Sequence, residues 1–259
     1  MPNNALTAIS EIAAFGSNDL KEYATNYLTG VNAVDEQLEF YIKNALAGSF
    51  KIQPGKRQGH YAKIFSYIGN KNNPPYMIIK NGDAFEINKI KSPFASPALN
   101  SLPPKDMLRA TDKRISDACR KCESIQWKEK DLFYVIGNAK GGSINSLFFI
   151  QGTCYASNPK VYDAVRKELK RINDKNTFNF NPKSGKIKNP LTYFKNYCEY
   201  VPNKFNIYAV IENKKYLSFP RKDRRALESS NNIEVKDINI SLPSDQNQMM
   251  NAKLISCAI

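Results

Sequence analysis

NPPYMIIKNGDAFEINKI, residues 73–90, decides how this chain is read. Residues 76–80 and 84–91 are short runs rich in strand formers, and the Asn81-Gly82 pair between them is the strongest short-range signal for a β-hairpin. Side chains alternate along a strand, so Ala84, Glu86, Asn88 and Ile90 share one face of the second strand while Phe85, Ile87, Lys89 and Lys91 share the other. Glu86 and Asn88 therefore project together, with Asp83 in or just after the turn. A solvated hairpin with ordinary surface charges has the same appearance, so the surrounding chain has to decide between them.

Upstream, Val34, Leu38, Tyr41, Ile42 and Ala45 recur at helical spacing over residues 33–46. Asp35, Glu36, Glu39 and Lys43 lie around the other side, and Gly48 is the stop signal. Residues 61–68 read as a strand before the loop GNKNNPP. Downstream, residues 112–123 read as a helix, with Ile115, Ala118, Cys119 and Cys122 on one face and Lys113, Arg114, Arg120 and Lys121 on the other. LFYVIG (132–137) and LFFIQG (147–152) are continuous apolar runs of the kind found in central strands. A basic helix over 161–172 precedes the polar segment INDKNTFNFNPKSGKIKNP, which is expected to order on binding. FNIYAVIE (205–212) is one more strand, and the remaining C-terminal residues read as short, irregular and polar. This order predicts an α/β fold, one mixed central sheet flanked by helices, in a single domain over 1–259.

Composition limits the function. The 259 residues carry 38 Lys and Arg against 24 Asp and Glu, a net +14, which favours a polyanionic partner and nucleic acid first. No run approaches the length of a membrane span and the N-terminus lacks a signal-peptide pattern, so a cytoplasmic protein is expected. Five cysteines at irregular spacing suit reduced thiols. Cys119 and Cys122 form a CxxC, but with one histidine and no second CxxC the pair reads as packing rather than a zinc site. A hydrolase triad would hang on His60 alone.

The hairpin carries the acidic cluster best placed for metal-assisted phosphodiester cleavage, which needs carboxylates on Mg²⁺ and often a neighbouring lysine. A helix with an acidic face, then Pro-Pro-X opening a strand, a hairpin and Glu-X-X resembles the PD-(D/E)xK nuclease core. More closely, NPPYMIIKNGDAFEINKI followed by SPALNSLPPKDML, DACRKCE, WKEKDLFYVIG, YLSFPRKDRRAL and NAKLI is similar to the NgoPII family of type II restriction endonucleases. These blocks fall in order from about Asn32 to Ile255. The resemblance implies a bacterial restriction-modification enzyme and a homodimer cutting double-stranded DNA at a palindromic GGCC site. Mg²⁺ would be its cofactor, and a cognate methyltransferase its functional counterpart without stable binding. It also divides the chain into a catalytic core over about 31–152 and a part, 153–259, for DNA binding or dimerisation.

The motif is broken at two positions. Tyr76 stands where it has Asp, and Asn88 where it has Lys, leaving Glu86. A phenol does not replace a carboxylate on Mg²⁺ at neutral pH, and an amide has no ammonium charge. Three accounts stay open: a site rebuilt from Asp83, Glu39 and Lys89, a natural variant of weak activity, or a chain with inactivating substitutions. The expected metal ligands are Glu86, Asp83 and Glu39. The rival reading is a sequence-specific DNA-binding protein of the same fold that does not cut.

Candidate DNA contacts follow the hairpin in SPALNSLPPKDMLRATDKR: Asn100, Ser101, Lys105, Arg109, Lys113 and Arg114. Arg and Asn would read base edges and Lys would hold phosphates. Lys56 and Arg57 in QPGKRQGH form a second group, and Lys183, Lys186 and Lys188 a third. Arg221, Lys222, Arg224 and Arg225 fit a helix start as well as a DNA contact.

Overall fold

The computed structural model describes residues 3–21, 33–70, 72–93, 95, 104–164, 194–243 and 245–259. One mixed sheet organises them. Its strands are β1 (Phe65–Asn70), β2 (Asn73–Ile79), β3 (Ala84–Ile90), β4 (Met107–Arg109), β5 (Glu129–Lys140), β6 (Ser143–Gln151), β7 (Asn206–Glu212), β8 (Ile233–Leu242) and β9 (Asp245–Ala258). Their order is β1-β2-β3-β5-β6-β7-β9-β8, with β4 paired to β5 off this path. β3 runs parallel to β5 and β6 parallel to β7; the other pairs are antiparallel.

The two apolar runs of the sequence are β5 and β6, and both lie inside the sheet. Phe133, Val135, Leu147 and Phe149 enter one core; Leu132, Tyr134, Ile136, Phe148 and Ile150 enter the other. On the first face lie helices α1 (Ala5–Phe15), α2 (Ala33–Ala47) and α3 (Pro54–Ile64). They are joined there by α6 (Asn213–Ser218) and α7 (Arg221–Glu228). The short helices α4 (Asp117–Arg120) and α5 (Gly152–Tyr155) lie on the second face.

α2 has the expected extent, with Leu38, Tyr41, Ile42 and Ala45 buried. Gly48 then takes φ 61°, a left-handed conformation that glycine adopts without strain. The hairpin also forms, with a different turn. Gly82 N–H donates to the Ile79 carbonyl at 2.9 Å and Ile79 N–H to the Asp83 carbonyl at 3.0 Å, enclosing residues 80–82. Asn81, at φ 54°, carries the positive dihedral.

Three readings need correction. Residues 61–64 finish α3 instead of opening a strand. Pro54 starts that helix, and Tyr61 is buried with its hydroxyl donating to Asn44 Oδ1 of α2 at 3.0 Å, so tertiary packing outweighs the helix's two glycines. The helix expected over 112–123 shrinks to α4, capped by Ser116. Arg120 instead donates to the carbonyls of Ala110, Asp112 and Ile115, and Arg114 turns back onto Asp112, which holds 110–115 as a loop. The irregular C-terminal region is the long β8–β9 hairpin. Its outer strand is largely solvent-facing and therefore polar, which hid it from a reading by hydrophobicity. α1 gave no expectation at all, although Asn4 and Thr7 form a capping box and Gly16 closes it at φ 70°. Of the basic helix over 161–172, residues 159–164 are helical; the rest and the lysine-rich segment lie outside the described residues. Among the described residues no helix is long and apolar enough to cross a membrane.

β9 is the partner of β7 from Glu212↔Ala252 to Asn206↔Ala258 and, among the described residues, the only attachment of β8 to the sheet path. Deleting residues 251–259 is expected to abolish cooperative unfolding, followed by circular dichroism on heating. A truncated chain melting at the parent temperature would contradict this account of the sheet.

Candidate functional site

Parallel pairing of β3 with β5 places Glu86 beside Tyr134 and Asn88 beside Ile136. Ala84, Ile90, Leu132, Tyr134 and Ile136 all enter the second core, so Glu86 points into that layer. Tyr134 in turn fixes the loop before β4. Its hydroxyl accepts from Lys105 N–H at 2.6 Å and donates to the Lys105 carbonyl at 3.2 Å. Gly152 seats the same loop from below: a Cβ there would lie 2.2 Å from the Asp106 carbonyl oxygen and 2.8 Å from that of Lys105. An alanine at 152 would displace backbone, which cannot yield as a flexible side chain can.

Lys105, 7% exposed, places its ammonium 2.9 Å from Asp112. Asp112 also takes the Arg114 guanidinium through Nε at 3.0 Å and Nη2 at 2.9 Å, and the Arg114 backbone N–H at 2.9 Å. Burial raises the Asp112 carboxyl, yet these donors outweigh it and hold the group well below the usual carboxylate range. Glu86 behaves differently. Burial pushes it up to about 7, against the pull of Lys105 and then Arg114. The second face thus holds an easily protonated carboxylate beside two cations tethered to a firmly ionised one.

Asp83 is held elsewhere. It is 2.6 Å from Lys215 of α6, which also lies 2.9 Å from Asp131. Lys215 stacks over Phe219, a member of the first core, so this cluster belongs to the other face of the sheet. Burial raises the Asp83 carboxyl despite Lys215. Burial also opposes the charge on Lys215, but Asp83 and Asp131 keep it above its ordinary range. On the second face Lys130 contacts Glu123 at 2.9 Å and the Gly82 carbonyl at 3.1 Å, and Glu123 accepts Asn81 N–H at 3.1 Å. The hairpin turn is therefore clamped on both sides by lysine-centred ion pairs.

The expected metal trio is not brought together. Glu86 faces the second core, Asp83 pairs with Lys215, and Glu39 sits on α2 one turn before Lys43, in the opposite layer. Tyr76 is partly buried and packs against the first core, and Lys89 lies on the Phe85–Ile87 side of β3. Among the described residues no group of three His, Cys, Asp or Glu side chains could hold a metal ion.

Of the expected DNA contacts, Lys105 and Arg114 join Glu86. Arg109 is bound to Asp106 and Glu129, and Arg57 donates to the carbonyls of Ile52 and Phe50. Lys56 and Lys113 are exposed; Asn100, Ser101, Lys183, Lys186 and Lys188 lie outside the described residues. Arg221, Lys222, Arg224 and Arg225 belong to α7, which buries Asp223 and Leu227 and accepts Asn4 Nδ2 on Asp223 at 2.8 Å. Cys119 is a core residue whose thiol burial pushes up to about 12. Sequence reasoning missed Asp112, Tyr134, Asp131 and Lys215. The two tyrosine hydrogen bonds that matter reach 29 residues along the chain, and no local pattern announces them.

The NgoPII restriction endonuclease family model matches residues 3–184 and 185–241. The type II restriction enzyme NgoPII of Neisseria gonorrhoeae is 31% identical over 249 residues, spanning 87% of this chain and 89% of that protein. No solved structure gives a significant match. The chain belongs to the NgoPII family of type II restriction endonucleases.

Proposed function

We propose that this chain cuts both strands of DNA at a short palindromic site, GGCC, as a homodimer whose host DNA a cognate methyltransferase protects. The observation that carries the reading is Glu86 on the second strand of the hairpin, set beside Lys105 and Arg114 in a chain of this family. A carboxylate flanked by cations suits a phosphodiester, whose charge rises during hydrolysis. The net +14 favours the same polyanion. A PD-(D/E)xK-like core agrees with the hairpin and with the place of Glu86 on it.

The residues present do not form a Mg²⁺ site by themselves. Glu86 has Lys105 and Arg114 as its charged neighbours, Asp83 is paired with Lys215, Glu39 lies in the opposite layer, and position 76 carries a phenol. Mg²⁺ is the ion to supply in the assay. These same facts favour a second reading, a DNA-binding protein of this family that does not cut.

Digestion separates the two. Unmethylated DNA carrying GGCC is incubated with the protein and Mg²⁺, and binding is followed by gel shift in Ca²⁺. Fragments ending at GGCC are expected; binding without cleavage would favour the second reading, and neither would sink both.

Glu86 also makes a prediction about stability. Its folded value of about 7 lies above the ordinary 4.5, so the unfolded chain ionises first and stability present below pH 4.5 is lost as pH rises through 7. The loss amounts to at most about 3 kcal/mol. In EDTA, Glu86→Gln is expected to raise the unfolding free energy at pH 8 by about 1–3 kcal/mol and leave it unchanged at pH 4, measured by urea titration. Equal effects at both pH values would contradict the burial argument.

A further inference from the structure

The motif position at 88 has lost its lysine, yet a lysine from another part of the chain is held on the same face as Glu86. We infer that Lys105, from the loop before β4, is the catalytic lysine that faces the scissile phosphate in place of residue 88. The inference rests on the nuclease reading above.

Three features of its geometry support the assignment. The Lys105 backbone is fixed to Tyr134, the register partner of Glu86, by hydrogen bonds through both its N–H and its carbonyl, so Lys105 and Glu86 share one face. The Gly152 seat leaves that backbone no room to shift toward it. The buried ammonium faces Asp112 at 2.9 Å, and since an ammonium carries three donors, others are left for a phosphate oxygen. Moving Lys105 onto a phosphate does not strand Asp112, because Arg114 stays on it through Nε, Nη2 and its backbone N–H. Arg114 is the poorer candidate because its guanidinium is already committed to both Asp112 oxygens, Nε to Oδ1 and Nη2 to Oδ2. Lys89 lies on the other face of β3.

In the step itself a water oxygen forms the new bond to phosphorus and the P–O3′ bond breaks. One water proton passes to solvent, and the departing 3′ oxygen takes a proton from solvent. Lys105 moves no proton; its charge offsets the negative charge that builds on the non-bridging oxygens.

Single-turnover cleavage of a duplex carrying the cut site, in Mg²⁺, is compared for the parent, Lys105→Ala, Lys105→Gln and Lys105→Ala with Asn88→Lys. Gel shift in Ca²⁺ and thermal melting accompany each variant. Lys105→Ala and Lys105→Gln are expected to lower the rate at least about 100-fold. Affinity should stay within about threefold. Asn88→Lys, which returns an ammonium to the same face, should recover at least about tenfold of the loss. Lys105→Gln keeps a donor for Asp112 and covers the case in which Lys105→Ala does not fold. Parent rates in folded Lys105 variants, a fall in affinity that matches the fall in rate, or no recovery on Asn88→Lys would each overturn the assignment. A parent that binds without cutting overturns it and favours the non-cutting reading; a parent that neither binds nor cuts removes the nuclease reading as well.

Discussion

Parallel pairing of β3 with β5 is the constraint on which the site depends. From Ala84↔Leu132 to Ile90↔Asn138 the two strands run in unbroken register, and both faces are covered by core. A slip of one residue would carry Phe85 and Ile87 out of the first core and Glu86 into it. The apolar side chains therefore fix which way the carboxylate points. The cost is visible in Glu86 itself, whose proton is retained to about pH 7 because the layer around it is largely apolar.

Lys215 and Lys130, at the tip of the hairpin, are each held by more than one partner. Removing one partner of a buried pair costs more than the pair gains, because the survivor stays desolvated. Lys215 therefore serves both Asp83 and Asp131, and Gln151 Nε2 donates to Asp131 as well, at 3.0 Å. Lys130 serves Glu123 and a turn carbonyl across the sheet. These clusters hold the tip of the hairpin from opposite faces. Asp83 is thereby committed to holding the fold together and is not free to act as a metal ligand beside Glu86.

The sequence was readable where a pattern is local. α2 shows its buried stripe, Asn81-Gly82 marks the turn, and the runs in β5 and β6 declare central strands. It misled where side chains compete with the backbone: Arg114 and Arg120 look like the polar face of a helix, but they spend their donors on Asp112 and on loop carbonyls. It was silent where partners are distant. Lys215 meets Asp83 across 132 positions of sequence, and β8 keeps its polar edge although it is a strand. Of the site, Glu86 and its face were legible from strand alternation. That Lys105 and Arg114 belong with Glu86, and Tyr76 and Glu39 do not, required the packing of both layers.

The departures from the family motif can be weighed in the same terms. Position 76 lies against the first core, where an aromatic ring gains from burial and a carboxylate would be desolvated without the partners that ionisation needs. Position 88 follows Glu86 on the second face, where Lys105 and Arg114 already balance Glu86 and Asp112. A lysine added at 88 would leave that face with an excess positive charge in a layer that screens charge poorly. Asn88 avoids that repulsion and can still form hydrogen bonds through its amide. The neutral residue at 88 and the cations held by Asp112 are thus two parts of one charge balance, and changing either side alters what the other must supply.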